Sequence, residues 1–331
     1  MKKHFFITLA LLLLLGVCFV CDLCFGSISI GLSDLWGSAS DGSINRRILL
    51  DLRLPRAITA VVAGVALSVS GLMMQTLFRN PLAGPYILGV SSGATLGVGV
   101  LVMCGTMLGF AATNLLTVAA AIAGATLCLL LVLAVSFRVE SNVSLLIIGM
   151  MIGSIAGALV NLMQNFANPD ALKLFIVWSL GSLSSVTWHE MPYLLPIFCI
   201  GLLIAVFLVK PLNGLLLGEN YARGLGINVS RVRLLIVLST GLLAGGITAF
   251  CGPIAFIGVA VPHLARGLYG TSNHRVIMPA AALIGADLLL VCDVLANQFT
   301  YPLPISTLSA LFGAPIIIWI ILRDLNGLRP I

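Results

Sequence analysis

Charge is scarce in this 331-residue chain, because only 8% of its residues are Asp, Glu, Lys or Arg while 60% are hydrophobic. A soluble domain of this size could not bury so much apolar surface in one core. Lysine is the rarest cation: the chain has only Lys2, Lys3, Lys173 and Lys210, and none of them follows a glycine. A phosphate-binding loop needs Gly-Lys-Ser/Thr, so the sequence excludes a P-loop ATPase.

The residues that usually bind metals or transfer protons do not occur in the patterns that these functions require. The four histidines are scattered without ligand spacing, and Cys18, Cys21 and Cys24 recur at helical spacing with no histidine near them. Asp287 and Asp293 are the acids deep in the second half. We expect them to make structural hydrogen bonds, because neither has an evident basic partner in the sequence. The sequence predicts no catalytic residue, no metal site and no directly bound cofactor.

Apolar stretches long enough to cross a bilayer occupy most of the chain. A transmembrane helix needs about 20 mainly apolar residues, and the stretch from Asn80 to Phe137 contains no charged residue at all. We therefore predict an all-α polytopic membrane protein with a single transmembrane domain over residues 1–331. The ten predicted spans are 5–25, 57–78, 87–104, 114–137, 143–166, 191–209, 233–250, 254–271, 276–296 and 306–323.

The N-terminus has some features of a cleaved signal peptide. Lys2 and Lys3 precede an apolar run that continues through Cys21. Val17 is not the small residue that a cleavage site requires, and many more spans follow. We expect a retained first transmembrane helix.

The basic residues predict the orientation of the spans. Ten spans place both termini on one face, and cytoplasmic segments carry an excess of Lys and Arg. With cytoplasmic termini, most of the 17 basic residues lie inside, so we predict that orientation. The exceptions are Arg46, Arg47, Arg53, Arg56 and Lys173.

Two predicted outer segments are longer than turns, namely residues 26–56 and 167–190. The second contains ALKLFIVWSLGSL, which is too short to span and predicts a helix at the outer surface. The long inner segment holds the polar stretch LLLGENYARGLGIN at 215–228.

That polar stretch predicts a short amphipathic element that fits a groove on a soluble partner. We expect Leu215, Leu216 and Leu217 to anchor it and Gly224 and Gly226 to allow a sharp turn after it. A solvated linker is the alternative, since charge in a loop is ordinary. The residues expected to face out are Glu219, Asn220, Tyr221 and Arg223.

Motifs in a fixed order cover nearly the whole chain. They are DLRLPR (51–56), AGVALSVSG (63–71), FRNPLAGPYILGVSSGA (78–94), WSLGSL (178–183), GPIAFIGVAVPHLAR (252–266) and LFGAPIIIW (311–319). Together with ENYARGLG at 219–226, they resemble the FecCD-type permeases. These are the membrane subunits of ATP-binding-cassette importers for iron-siderophore, haem and cobalamin uptake.

The resemblance implies a type II importer permease: a homodimer of ten-helix subunits in the bacterial inner membrane. Two cytoplasmic ATPase subunits would lie beneath it and consume the ATP, and an extracytoplasmic substrate-binding protein would dock above it. The permease itself is then no enzyme, and no nucleic acid is involved. The implied substrate is an iron chelate, either a siderophore or haem. Cobalamin is the alternative, and an ion-coupled secondary transporter is the alternative from another class.

The resemblance also implies roles for individual residues. It assigns ATPase coupling to a loop at 212–228 and binding-protein docking to Arg53 and Arg56. Apart from the resemblance, Lys173 is expected near the pathway mouth, where it would favour an anionic ligand. Snorkelling at the membrane surface is the alternative for the two arginines. The implied coupling residues are Leu217, Glu219, Asn220, Tyr221, Ala222, Arg223, Gly224 and Gly226. The implied cytoplasmic gate is Ser141, Asn142 and Val143.

Other positions are less specific or depart from the family pattern. Pro262, His263 and Arg266 at the inner end of the eighth span are either an ATPase contact or a helix end with positive-inside anchoring. Asn297 stands where relatives often carry an arginine, and Pro302-Leu-Pro-Ile-Ser306 replaces a segment that often begins with glutamate. Docking there is expected to differ.

Overall fold

Helices form nearly all of the chain that the computed structural model describes, which is residues 2–26, 44–105, 113–136, 138–139, 141–299 and 302–325. No β-strand occurs within these ranges. The all-α prediction is confirmed. In chain order the helices are α1 (Lys2–Cys24), α2 (Ile44–Phe78), α3 (Val90–Cys104), α4 (Asn114–Ser136), α5 (Asn142–Phe166), α6 (Pro169–Ser179), α7 (Met191–Phe207), α8 (Val209–Leu216), α9 (Glu219–Gly224), α10 (Val229–Cys251), α11 (Ile257–Tyr269), α12 (His274–Ala296) and α13 (Ile305–Leu325).

A helix lies at each of the ten predicted spans. Six described helices (α1, α2, α4, α5, α10 and α12) are long and apolar enough to cross a bilayer, and the pair α7 and α8, bent by 51°, makes a seventh. The helices α3, α11 and α13 are shorter, and α6 is the predicted non-spanning outer helix. One boundary was wrong: α2 begins at Ile44, so the described end of the predicted outer loop 26–56 is helical. Residues 27–43 of that loop lie outside the described residues.

Hydrogen bonds between helix termini define two ends of the bundle. At the α9 end, His4 of α1 bonds to the Tyr269 carbonyl of α11, and the Arg79 guanidinium beyond α2 donates to the Leu215 carbonyl of α8. At the Arg56 end, the Trp188 indole donates to the Leu50 carbonyl in the first turns of α2. The start of α1 and the last turns of α2 and α11 therefore lie at the α9 end, and the first turns of α2 lie at the Arg56 end.

The core is built around α2, α10 and α12, which are largely buried, whereas α1, α4 and α5 present most of their surface outward. The central helices approach closely at glycines. A Cβ added to Gly64 would lie 2.2 Å from the Gly285 carbonyl oxygen, and one added to Gly71 would lie 1.8 Å from that of Gly258. Small residues permit such close packing where lipid provides no hydrophobic drive.

Two breaks in the helices meet inside the bundle. The 3₁₀ turn Pro85–Leu88 precedes α3, and residues 252–256 separate α10 from α11. The Tyr86 hydroxyl donates to the Ile254 carbonyl at 2.7 Å, so one break satisfies a polar group of the other. Backbone at membrane depth needs such partners, because hydrocarbon supplies none. The predicted span 254–271 is therefore shorter as a helix, beginning at Ile257.

Candidate functional site

The polar stretch at the α9 end forms two short helices, α8 and α9, joined at Gly218. Gly218 has φ 118° and Gly226, beyond α9, has φ 81°. Side chains with a Cβ rarely adopt such values, so both turns depend on glycine. The predicted turn at Gly226 is confirmed. Gly224 instead ends α9 without a positive φ.

The outer surface of this stretch is more apolar than the sequence predicted. Leu215 is buried as expected, but Leu216 and Leu217 are 44% and 64% exposed. The prediction that they anchor the element was wrong, because the buried face of α8 follows Leu212 and Leu215 at helical spacing. The exposed apolar side chains are Leu216, Leu217, Tyr221 and Leu225. Asn220 and Arg223 are exposed beside them, whereas Ala222 is buried.

Glu219 turns inward instead of facing out. Its Oε1 accepts a hydrogen bond from Asn142 Nδ2, and the same nitrogen donates to the Leu77 carbonyl at 2.8 Å. The guanidinium groups of Arg223 and Arg233 each lie 3.9 Å from a Glu219 oxygen. The structure thus brings a predicted coupling residue into contact with a predicted gate residue. We call Glu219, Asn142, Arg223 and Arg233 the Glu219 cluster.

Arg233 explains why the Glu219 carboxylate is held in this position. The side chain of Arg233 is only 5% exposed, and its NH1 group donates to the Val139 carbonyl at 2.8 Å. A buried cation is costly unless it is paired. The cluster therefore joins α9 to the start of α5 and to the first turns of α10. Arg233 had no predicted role, although its place among the inner basic residues was a usable signal.

The other two predicted gate residues lie at the N-terminus of α5. Ser141 caps this helix, since its Oγ accepts from the Ser144 amide at 3.3 Å. Val143 is 62% exposed. It begins a stripe of exposed apolar residues along one face of α5, comprising Val143, Ile147, Met151 and Ile155. The gating role of these residues stays a prediction.

Of the three α11 residues Pro262, His263 and Arg266, the last two contact the end of α2 and the chain that follows it. His263 Nε2 lies 2.7 Å from the Pro81 carbonyl oxygen, and Arg266 donates to Gln75 Oε1 at 2.8 Å. Pro262 is buried. These contacts give the three residues a place in internal packing, and an ATPase contact stays a prediction.

The predicted docking arginines lie at the Arg56 end, where both are largely buried. Arg53 is 5% exposed and donates to the carbonyls of Leu23 and Cys24 at the end of α1. Arg56 is 9% exposed and lies 2.7 Å from Asp293 and 3.3 Å from Asp22. This arrangement ties α2 to α1 and α12. Docking by these arginines stays a prediction, and little of either side chain is open to a partner.

The expectation of structural hydrogen bonds holds for one acid of α12 and not for the other. Asp293 makes such contacts, and its basic partner Arg56 was not evident in the sequence because it lies 237 positions earlier in the chain. Asp293 also accepts from the Asn297 amide, at 3.1 Å. Neither oxygen of Asp287 has a hydrogen-bond partner among the described residues, so the expected structural bond is not found there. Lys173 is exposed on α6.

This all-α bundle of about ten spans, with a short helix projecting at one end, has the architecture of a membrane permease. The chain belongs to the FecCD transport family, whose model matches residues 12–323. It is therefore a multi-pass membrane subunit of the ATP-binding-cassette transporter class, and it is a transport component rather than an enzyme.

Named relatives agree on the class but differ in substrate. The chain is 38% identical over 310 residues to the hemin transport system permease protein HmuU of Yersinia pestis, covering 90% of each chain. It is 36% identical over 338 residues to the vitamin B12 import system permease protein BtuC of Serratia proteamaculans, covering 97% of this chain and 93% of that one. A solved structure described as an inward-facing metal-chelate type ABC transporter matches with a TM-score of 0.85 and 31% identity, covering 96% and 99%.

Proposed function

We infer that this chain is the permease subunit of an ATP-driven, binding-protein-dependent importer of an iron chelate, either a siderophore or haem. It works as a homodimer in the bacterial inner membrane, with both termini in the cytoplasm and two separate ATPase subunits that use the ATP. The observation that carries this proposal is the hydrogen bond between Glu219 of α9 and Asn142 of α5. It connects an exposed surface element directly to a long membrane helix.

The surface of α8 and α9 supports the proposal that a soluble partner binds at the α9 end. Leu216, Leu217, Tyr221 and Leu225 expose apolar area beside the charged Arg223. Exposed apolar patches with a polar rim are typical of protein interfaces. We assign this surface to the ATPase subunit. A displacement of α9 then acts on α5 through Asn142 and on α10 through Arg233.

Charge supports the orientation. Cytoplasmic segments are enriched in Lys and Arg, and the α9 end carries most of the described basic residues. These are Lys2, Lys3, Arg79, Arg138, Lys210, Arg223, Arg231, Arg233, Arg266 and Arg275. Asp170, Glu190 and Lys173 lie toward the opposite, extracytoplasmic end, where the substrate-binding protein docks.

The exposed stripe on α5 supports both the homodimer and the translocation path. Val143, Ile147, Met151 and Ile155 present a continuous apolar face that is not covered within one chain. A second copy facing this stripe would enclose a path with apolar walls and with Val143 and Ser141 at its inner mouth. Lys173 near the outer mouth favours an anionic ligand.

The substrate is proposed from the class of the relatives. One is named for hemin and another, of nearly equal identity, for vitamin B12. The structural neighbour is named for a metal chelate. Cobalamin is therefore the second candidate substrate.

Reconstitution tests the proposed energy source. We expect the chain alone, in proteoliposomes with an imposed proton gradient, to accumulate no ferric siderophore, no hemin and no cobalamin. We expect accumulation of one of these three when the ATPase and the binding protein are added with ATP. Accumulation by the chain alone, abolished by a protonophore, would reject the proposal in favour of a secondary transporter.

A further inference from the structure

A large groove opens beside α8 at the α9 end of the bundle. Its volume is about 670 Å³, and its walls come from α2, the α7 and α8 pair, and α12. The walls are mainly apolar, with Val69, Val206 and Met278 as representative residues. At about 30 Å³ per water molecule, the groove would hold some 20 waters, but these walls offer few polar partners. An apolar occupant suits the groove better.

The groove exists because the chain bends between α7 and α8. The 51° bend directs α8 away from the line of α7. A set of polar contacts holds α8 in place: His274 of α12 lies 2.9 Å from Thr76 of α2 and 2.9 Å from Asn213 of α8. These polar contacts therefore join α2, α8 and α12, and the groove separates the same helices next to the contacts.

Two cations and no acid belong to the lining. Lys210 and Arg275 are both exposed, and among the described residues neither forms an ion pair. They are the second residues of α8 and α12, so the positive charge of the lining lies where these two helices begin. This arrangement matches an amphiphile with a negative headgroup.

The surface around the groove indicates that the occupant comes from the bilayer. Leu203, Val206 and Phe207 of α7 are 58%, 56% and 75% exposed. In a membrane protein such a face contacts acyl chains, and basic pockets between helices on the cytoplasmic side bind anionic headgroups. A second copy of the chain is the competing occupant, and it would make the oligomeric state depend on the groove.

We propose that this groove is a binding site for one anionic phospholipid of the inner leaflet. An acyl chain lies along Val69, Val206 and Met278, and the headgroup phosphate contacts Lys210 and Arg275. Because α8 leads through Gly218 into α9, the bound lipid braces the element that carries the Glu219 cluster. The site requires the α9 end to be cytoplasmic, but it does not depend on which substrate is carried.

Lipid retention measured by native mass spectrometry tests this site. The protein is exchanged into mixed micelles with either phosphatidylglycerol or phosphatidylcholine. We expect selective retention of phosphatidylglycerol by the wild type. For the double variant Lys210→Gln/Arg275→Gln we expect an affinity about 30-fold lower, which is about 2 kcal/mol at about 1.4 kcal/mol per factor of ten. The double variant Arg138→Gln/Arg231→Gln is the matched control, because it removes two exposed cations at the same end outside the groove.

A second variant keeps the cations and fills the groove. Val206→Trp should also lower phosphatidylglycerol retention, whereas a headgroup bound only at the rim would be unaffected. Equal retention of both lipids by the wild type, or equal losses in the two double variants, overturns the proposal. The proposal also fails if the Val206→Trp variant becomes monomeric but retains its lipid. That result would show that a second copy of the chain, and not a lipid, occupies the groove of the wild type. If the Lys210→Gln/Arg275→Gln protein fails to fold, the wild-type comparison and Val206→Trp decide.

Discussion

At the residue scale, the side chains that matter most are polar groups held between helices. Glu219 and Asn142 are 77 positions apart, and Arg56 and Asp293 are 237 apart. Local sequence patterns report neighbours at three or four positions on a helix. The charges could therefore be found in the sequence, but their partners could not. For the same reason, Glu219 was expected to face the solvent.

Glu219→Gln should lower transport at least tenfold in the assembled importer. The amide keeps the size of the side chain but removes the charge that compensates the nearly buried Arg233. We expect the unfolding free energy to fall by about 1 to 2 kcal/mol, because the amide oxygen can still accept from Asn142 but the acceptor is no longer charged and Arg233 loses its counter-charge. Uptake assays and thermal unfolding measure the two effects.

Glu190→Gln is the control, since this carboxylate lies at the opposite end and bonds to Thr187. The double variant Glu219→Gln/Arg233→Gln should recover part of the lost stability, because it removes the uncompensated cation. Wild-type uptake by Glu219→Gln would contradict the coupling role of the cluster.

Arg56→Gln should destabilise the protein by about 3 to 5 kcal/mol, because it leaves two buried carboxylates without their cation. Thermal unfolding in detergent measures this loss, and the exposed Arg47→Gln is the control. The same experiment tests the docking prediction. Weaker binding-protein affinity in an Arg56→Gln protein of unchanged stability would show that Arg56 contacts the partner rather than the fold.

At the element scale, the positions of the spans could be predicted because each needs a long apolar run. The breaks and bends of these helices could not be predicted from the sequence. Hydropathy measures apolar length, whereas the break at residues 252–256 depends on a hydroxyl from Tyr86, and the 51° bend lies within one apolar stretch. The helical start of α2 was missed because Asp51, Arg53 and Arg56 suggested a polar loop. Arg53 and Arg56 instead contact α1 and α12, and Asp51 is exposed.

Gly71→Ala should disrupt the crossing of α2 and α11. The added Cβ would lie 1.8 Å from the Gly258 carbonyl oxygen, so the backbones must separate. We expect a loss of more than about 4 kcal/mol or a failure to fold. Gly157→Ala on α5 is the matched control, since nothing lies within 4 Å of its Cβ. Its stability should be unchanged or raised by up to about 1 kcal/mol. Similar behaviour of the two variants would contradict the close crossing.

Deletion of residues 219–226 should abolish uptake and leave binding-protein affinity unchanged, because the loop lies at the α9 end, far from the docking face. Uptake and binding are measured on the same reconstituted sample. A deletion protein that transports normally would refute the idea that α9 receives the motion of the ATPase.

At the scale of the whole molecule, the two ends should face different compartments. Ser230 is exposed at the α9 end and Ser185 is exposed beside α6. In intact spheroplasts, we expect a membrane-impermeant maleimide to label Ser185→Cys but not Ser230→Cys. Inside-out vesicles should give the reverse pattern. The unsubstituted protein controls for native cysteines, of which Cys199 is exposed. Labelling of both sites from one side would reject the proposed topology.

The amide of Asn142 has one further consequence. Its nitrogen carries two hydrogens, and one is given to the last turn of α2 through Leu77 while the other is given to Glu219. No donor remains on that nitrogen for a third acceptor. Moving the short surface helix away from the bundle therefore requires breaking the hydrogen bond between Asn142 and Glu219 as well as the contact between Glu219 and Arg233. In the proposed importer, Asn142 would then keep its bond to Leu77 while its second amide hydrogen is released, so this one side chain links α9 to the predicted inner gate.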